Sequence, residues 1–257
     1  MLVEDPQKSI NALCPFLDRE ITLRLYKREY EKVIGRQSRP IHIKHAHTHF
    51  YTLSIYRIIE PSSRQGTYRV STTGKRLCTL LKANELPEYR KLLAKVILAN
   101  ESKSALFQEF LAFVADSKTF KQVYEQFGNI TGRTLIAWTC EADLALKDNT
   151  RVRAIPKDRP RPGLDKFWNI VKAAYHKFEI SETLGITRLF MPISELRFTA
   201  GVDLGLTPDE FDKLLRDILD SSRGDKISLY GATSEVYARF SPLVYNEKAY
   251  AYISIGL

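Results

Sequence analysis

The sequence predicts a mainly α-helical protein in which three successive units each close with a small β-hairpin. Three observations carry this. The same order of helical and strand periodicity recurs in residues 1–85, 86–157 and 158–257, turn-forming Pro, Ser and Gly separate the helical runs from the short strands, and no repeated strand–helix alternation is visible. With 257 residues, 44% hydrophobic and 11% aromatic, the chain carries enough apolar material to bury a core.

In the first unit, DREITLRLYKREYEKVIG (18–35) combines good helix formers with Leu23, Leu25, Tyr26, Tyr30, Val33 and Ile34 near helical spacing. A helix ending at Gly35 is expected. Pro40 then disfavours helix at Arg39. After the histidine run HIKHAHTHF (42–50) come an apolar stretch, the loop PSSRQG, the returning strand TYRVS and the helix TTGKRLCTLLK, which Ser71 or Thr72 is suited to cap. In the second unit, residues 88–116 read as one or two helices with a break near Asn100. Phe120, Val123, Tyr124 and Phe127 mark the buried face of the next helix, and Gly128 ends it. Ile130, Leu135, Ile136 and Trp138 mark another helix, before KDNTRVRAI supplies a turn and a strand.

RVRAIPKDRPRPG (151–163) shifts abruptly to Pro and Arg and is the best linker candidate. Its Arg151, Arg153, Lys157, Arg159 and Arg161 suit either a solvated hinge or an arm lying along phosphates or in a minor groove. In the third unit, Phe167, Ile170, Val171, Ala174 and Phe178 line one helical face. Thr207, Pro208 and Glu210 form a capping box before Phe211, Leu214, Leu215, Ile218 and Leu219, a core-facing stripe. The chain ends in strand-period alternation, with Tyr250, Tyr252 and Ser254 set against Ala249, Ala251, Ile253 and Ile255.

YRVSTTGKRLCTLL (68–81) resembles the wing strand and following helix of winged-helix, or helix-turn-helix, DNA-binding proteins. The pattern Y-x-[LV]-[ST]-x-x-G-[KR]-x-L is met by Tyr68, Val70, Ser71, Gly74, Lys75 and Leu77. The resemblance implies tandem winged-helix domains at 1–85, 86–157 and 158–257, mainly α with small β-wings. It also implies binding of double-stranded DNA with no chemistry and no cofactor of its own. Transcription regulators look like this, as do the recognition parts of some restriction and defence systems.

Charge refines the expectation. The chain carries a net charge of +9, divided as +7, +3 and −1 among the three units, so a polyanion meets the front of the molecule. Ordinary solvated lysine and arginine are the alternative. The helix from Thr207 carries five acids against two bases. Phosphates repel such a helix, so Asp209, Asp212 and Asp217 are expected to face a protein partner or a second copy of the chain, unless the third unit is purely structural.

On a helix, His45, Thr48, His49 and Thr52 share one polar face, backed by Lys44, Arg57 and Arg64. Arg69, Arg133, Thr134, Arg151, Arg153, Arg159 and Arg161 complete the expected nucleic-acid-binding set. HAHTH also resembles the metal-binding opening of amidohydrolases and PHP phosphoesterases, so a metal-dependent hydrolase or nuclease on His42–His49, centred on His45, His47 and His49, is the alternative. That alternative lacks further ligands, since only His176 remains, and the Glu of H-E-x-x-H is missing. A third reading is a scaffold or RNA-binding subunit. No phosphate-binding loop, dinucleotide fingerprint or nucleophile elbow is present, and Cys140 beside Trp138 reads as core.

Cys14, Cys78 and Cys140 are odd in number, widely spaced and not spaced as metal ligands, which argues for a reducing compartment. The first residues carry acids where a signal peptide needs bases, and no apolar run reaches the roughly 18 residues of a membrane span. A soluble cytoplasmic protein is expected.

Overall fold

A computed structural model of the chain describes residues 6–35, 43–99, 104–148, 150–156, 160–181, 190–231 and 242–256. It is mainly helical with small antiparallel sheets. Among the described residues no helix is long and apolar enough to cross a membrane.

The first stretch runs α1 (Pro6–Asn11), β1 (Ile21–Thr22), α2 (Leu23–Ile34), α3 (Ile43–Ile55), β2 (Ile59–Pro61), β3 (Thr67–Val70) and α4 (Thr72–Lys82). The helix expected over 18–35 begins only at Leu23, because Ile21 and Thr22 pair with Tyr68 and Thr67 in a sheet of order β1-β3-β2. Thr22 then caps α2 by accepting the Leu25 N–H, and Gly35 closes it at a φ of +81°. Ser71 caps α4 by accepting the Gly74 N–H at 3.1 Å. A Cβ on residue 74 would lie 2.3 Å from the Ile58 carbonyl oxygen, so the glycine of the Y-x-V-S-x-x-G pattern lets helix and hairpin backbone touch.

Cys14 and Cys78, 64 residues apart, are joined by a disulfide with a Cα–Cα distance of 5.5 Å. This tie between the turn after α1 and helix α4 was not visible in the cysteine spacing. It removes the cysteine count as an argument for a reducing compartment.

Next come α5 (Leu86–Ala99), α6 (Ser104–Phe113), β4 (Lys118–Thr119), α7 (Phe120–Phe127), α8 (Asn129–Glu141), β5 (Ala145–Lys147) and β6 (Arg151–Ala154). The sheet order β4-β6-β5 repeats that of the first sheet. Helix α7 packs on α8 at Gly132, whose missing Cβ would stand 3.0 Å from the Tyr124 ring. The linker expected at 151–163 begins later than its composition suggests, because Arg151–Ala154 is strand paired on both sides.

The last stretch runs α9 (Leu164–Ser181), β7 (Met191–Pro192), α10 (Ile193–Leu196), a π-turn (Arg197–Gly201), α11 (Val202–Leu204), α12 (Pro208–Leu219), β8 (Ile227–Gly231), β9 (Leu243–Tyr245) and β10 (Lys248–Ile255). Its sheet has order β7-β10-β8, with β9 also on β10. The capping box forms as expected: Thr207 accepts the Glu210 N–H while Glu210 accepts the Thr207 N–H. Phe211, Leu214, Leu215 and Ile218 are buried with Phe167, Val171, Met191 and Ile253.

The chain divides into two compact units, residues 1–112 with 120–144, and residues 113–119 with 145–257. The division runs through the stretch 86–157. Helices α7 and α8 belong to the first unit, where Tyr56 lies 5.9 Å from the Phe107 ring and 4.8 Å from that of Trp138. Strands β4, β5 and β6 belong to the second unit.

Candidate nucleic-acid interface

Helices α3, α8 and α12 stand at the same place in the three repeats, directly before a hairpin. A helix on a small core must bury one stripe. On α3 that stripe is Ala46, His49, Phe50 and Leu53, at i, i+3, i+4 and i+7. His49 is therefore a core residue, only 4% exposed, and not part of the outward polar face expected with His45, Thr48 and Thr52. Its burial is tolerable because both ring nitrogens are satisfied: Nδ1 is hydrogen-bonded to the Ser9 hydroxyl at 2.8 Å and Nε2 to the Tyr30 hydroxyl at 3.2 Å.

The outward side of α3 is instead set by His47 and Tyr51. Their rings stack 6.5 Å apart and almost parallel, and Tyr51 is 62% exposed. Thr48 and Thr52 are half-buried, and the Thr52 hydroxyl donates to the Thr48 carbonyl at 2.8 Å. His42 and the side chains of Lys44 and His45 lie outside the described residues.

Exposed cations lie on this repeat. Arg57 is exposed just beyond α3, and Arg64 is exposed on the turn between β2 and β3. Arg24 and Arg28 add two exposed guanidiniums at i, i+4 on α2. That spacing was available in the sequence but was absorbed into the helix assignment. Among the described residues these four arginines make no ion pair. Arg69 is exposed on β3 and lies 3.5 Å from Glu20. Glu20 also accepts a hydrogen bond from the Ser62 hydroxyl. That bond, against a smaller opposing cost of burial and with the charges of Arg64 and Arg69, holds the carboxyl below its ordinary pKa.

The second repeat presents less charge. Arg133 lies over the Tyr124 ring at 5.7 Å, and the Thr134 hydroxyl donates to the Ile130 carbonyl at 3.0 Å. Ile130 itself is 74% exposed in the first turn of α8, an outward apolar residue. Arg151 and Arg153 correct the expectation of a free basic arm. Arg151 bonds Asp148 and Glu195, at 2.6 and 2.9 Å, and Arg153 bonds Asp203 at 2.6 Å. Burial works to lower the Arg151 pKa, but hydrogen bonds and charge from Asp148 and Glu195 raise it overall. Arg161 is exposed in an irregular segment, while Lys157 and Arg159 lie outside the described residues.

In the third repeat Asp209 and Asp217 are exposed on α12. Asp212 is turned inward, contrary to its expected role in partner contact. It accepts two hydrogen bonds, at 2.7 and 2.6 Å, from Arg197, which is 5% exposed. Burial pushes the Asp212 carboxyl up, and the Arg197 bonds offset this only in part.

No three His, Cys, Asp or Glu side chains among the described residues gather as a metal site, and His47 is exposed while His49 is buried. No protein-family model matches this chain, and neither the curated proteins nor the solved structures contain a match.

Proposed function

We propose that the chain is a non-catalytic double-stranded DNA-binding protein built from tandem winged-helix units. It acts as a transcription regulator or as the DNA-recognition component of a larger restriction or defence system. One observation carries this reading. The order helix, short strand, helix, helix, hairpin occurs three times, each time with the short strand paired to the last strand. In winged-helix proteins the second helix of the helix-turn-helix enters the major groove and the hairpin lies beside it.

On the first repeat that position belongs to α3. Arg24, Arg28, Arg57 and Arg64 supply the phosphate contacts, and His47 with Tyr51 meets base edges. Ile130 offers an apolar contact of the kind a thymine methyl accepts. The third repeat turns to protein: Asp209 and Asp217 on α12 repel phosphate and suit a basic partner surface or another copy of the chain.

The test is a salt titration of binding to a mixed-sequence duplex, followed by anisotropy, with and without EDTA. The expected result is a linear fall of log K with log salt, of slope about −0.9 per phosphate contact, with intact DNA and no effect of EDTA. Binding that is absent or insensitive to salt overturns the reading. Cleavage that EDTA abolishes transfers the function to a metal-dependent nuclease.

A further inference from the structure

The second compact unit bears an open cleft of about 570 Å³ that the DNA-binding reading does not use. Small-molecule sites run from about 300 to 1,000 Å³. The hollow has a local cause in the sequence. Ala173 and Ala174 on α9 and Ala200 on the π-turn place small side chains where larger ones would fill the space. The π-turn itself inserts an extra residue into the wall, a distortion often found at functional sites.

Its lining has two parts. Ile170, Ala174, Phe178 and Met191 make an apolar surface, and Arg151, Arg153 and Lys177 bring positive charge, facing Glu195 and Asp203. Arg151 is held between Asp148, Glu195 and the Phe198 ring, 4.9 Å away. Arg153 is held by Asp203 and donates to the Ala115 carbonyl at 3.3 Å. Lys177 is exposed and, among the described residues, has no carboxylate partner. Arg151 and Arg153 are thus offset by Asp148, Glu195 and Asp203, and Lys177 is the cation at the cleft that has no carboxylate among the described residues.

We propose that this cavity binds a small organic monoanion with an apolar body, an aryl or acyl carboxylate, whose charged group meets Lys177 and whose body lies on Ile170, Ala174 and Phe178. Glu195 and Asp203 repel additional negative charge, which disfavours polyphosphates. The site lies within one compact unit and its occupancy does not depend on DNA, so its test is separate from that of the DNA-binding reading.

The experiment titrates the full chain, without DNA, with 2-naphthoate, its neutral amide 2-naphthamide, and octanoate, by calorimetry. The expected result is one naphthoate per chain, with the amide roughly tenfold weaker because it lacks the ion pair. Lys177→Glu removes the preference for the acid, Ala174→Phe abolishes binding of both by filling the cavity, and Lys213→Glu on α12 changes neither. Should Ala174→Phe fail to fold, Ala173→Trp at the exposed rim serves in its place. Absence of saturable binding by both naphthoate and octanoate overturns the proposal. So does binding that Lys177→Glu and the cavity-filling variant leave unchanged.

Discussion

Helices α3 and α12 occupy the same place in the first and third repeats, yet they present opposite surfaces. The first repeat presents the outward His47–Tyr51 stack and four exposed arginines that make no ion pair among the described residues, whereas α12 presents Asp209 and Asp217, uses Glu210 in its capping box and turns Asp212 onto a buried arginine. One topology thus carries two chemistries. The core stripe of each helix is constrained by packing, so the exposed positions are where partner choice is written. The two hairpins repeat the lesson: Arg64 stands exposed with no ion pair among the described residues and Arg69 meets only Glu20, at 3.5 Å, while Arg151 and Arg153 are neutralised by carboxylates from α10 and α11.

The largest expected effect is on the third repeat. Asp212→Ala leaves Arg197 buried without its carboxylate, and the second unit should lose about 3–5 kcal/mol in urea denaturation. Asp217→Ala, on the same helix, should stay within about 0.5 kcal/mol of the parent. Equal losses would erase the distinction between inward and outward acids.

On the first repeat, changing Arg24, Arg28, Arg57 and Arg64 to Ala should weaken duplex binding on the order of 100-fold and flatten the salt slope by roughly 0.9 for each contact removed. Reversing Asp209 and Asp217 to Lys should leave that affinity nearly intact. A shared loss would mean that both repeats touch DNA.

Within α3 the comparison sharpens to two histidines. His49→Ala removes a buried ring and its hydrogen bonds to the Ser9 and Tyr30 hydroxyls and should cost about 1–3 kcal/mol of stability, with the sequence preference of the folded protein unchanged. His47→Ala should do the reverse, altering site preference in a binding-selection assay without moving the melting temperature. If both behave alike, the assignment of inner and outer faces fails.

The smallest effect concerns Glu20. Its folded pKa is depressed, so its stabilising contribution is present above the ordinary glutamate range and is lost as pH falls through the depressed value. The melting temperatures of the parent and Glu20→Gln should differ slightly at neutral pH and converge in acid. A difference that persists below the carboxylate range would assign the effect to packing.

Local rules were enough for much of the fold. The capping box at Thr207, the stops at Gly35 and Gly128 and the buried stripe of α12 involve residues within a few positions of one another, where sequence order and spatial neighbourhood coincide. The repeated element order was readable for the same reason, and with it the position of α3, Arg57 and Arg64. What the sequence could not decide is where a side chain finds a partner far along the chain. His49 meets Ser9 across 40 residues, Arg151 meets Glu195 across 44, Arg153 meets Asp203 across 50, and Cys14 meets Cys78 across 64. Each of these side chains is polar or reactive and looks available when read in order. Tertiary packing brings a complementary group to it, and so the fold, not the residue type, decides which charges and rings remain free to meet another molecule.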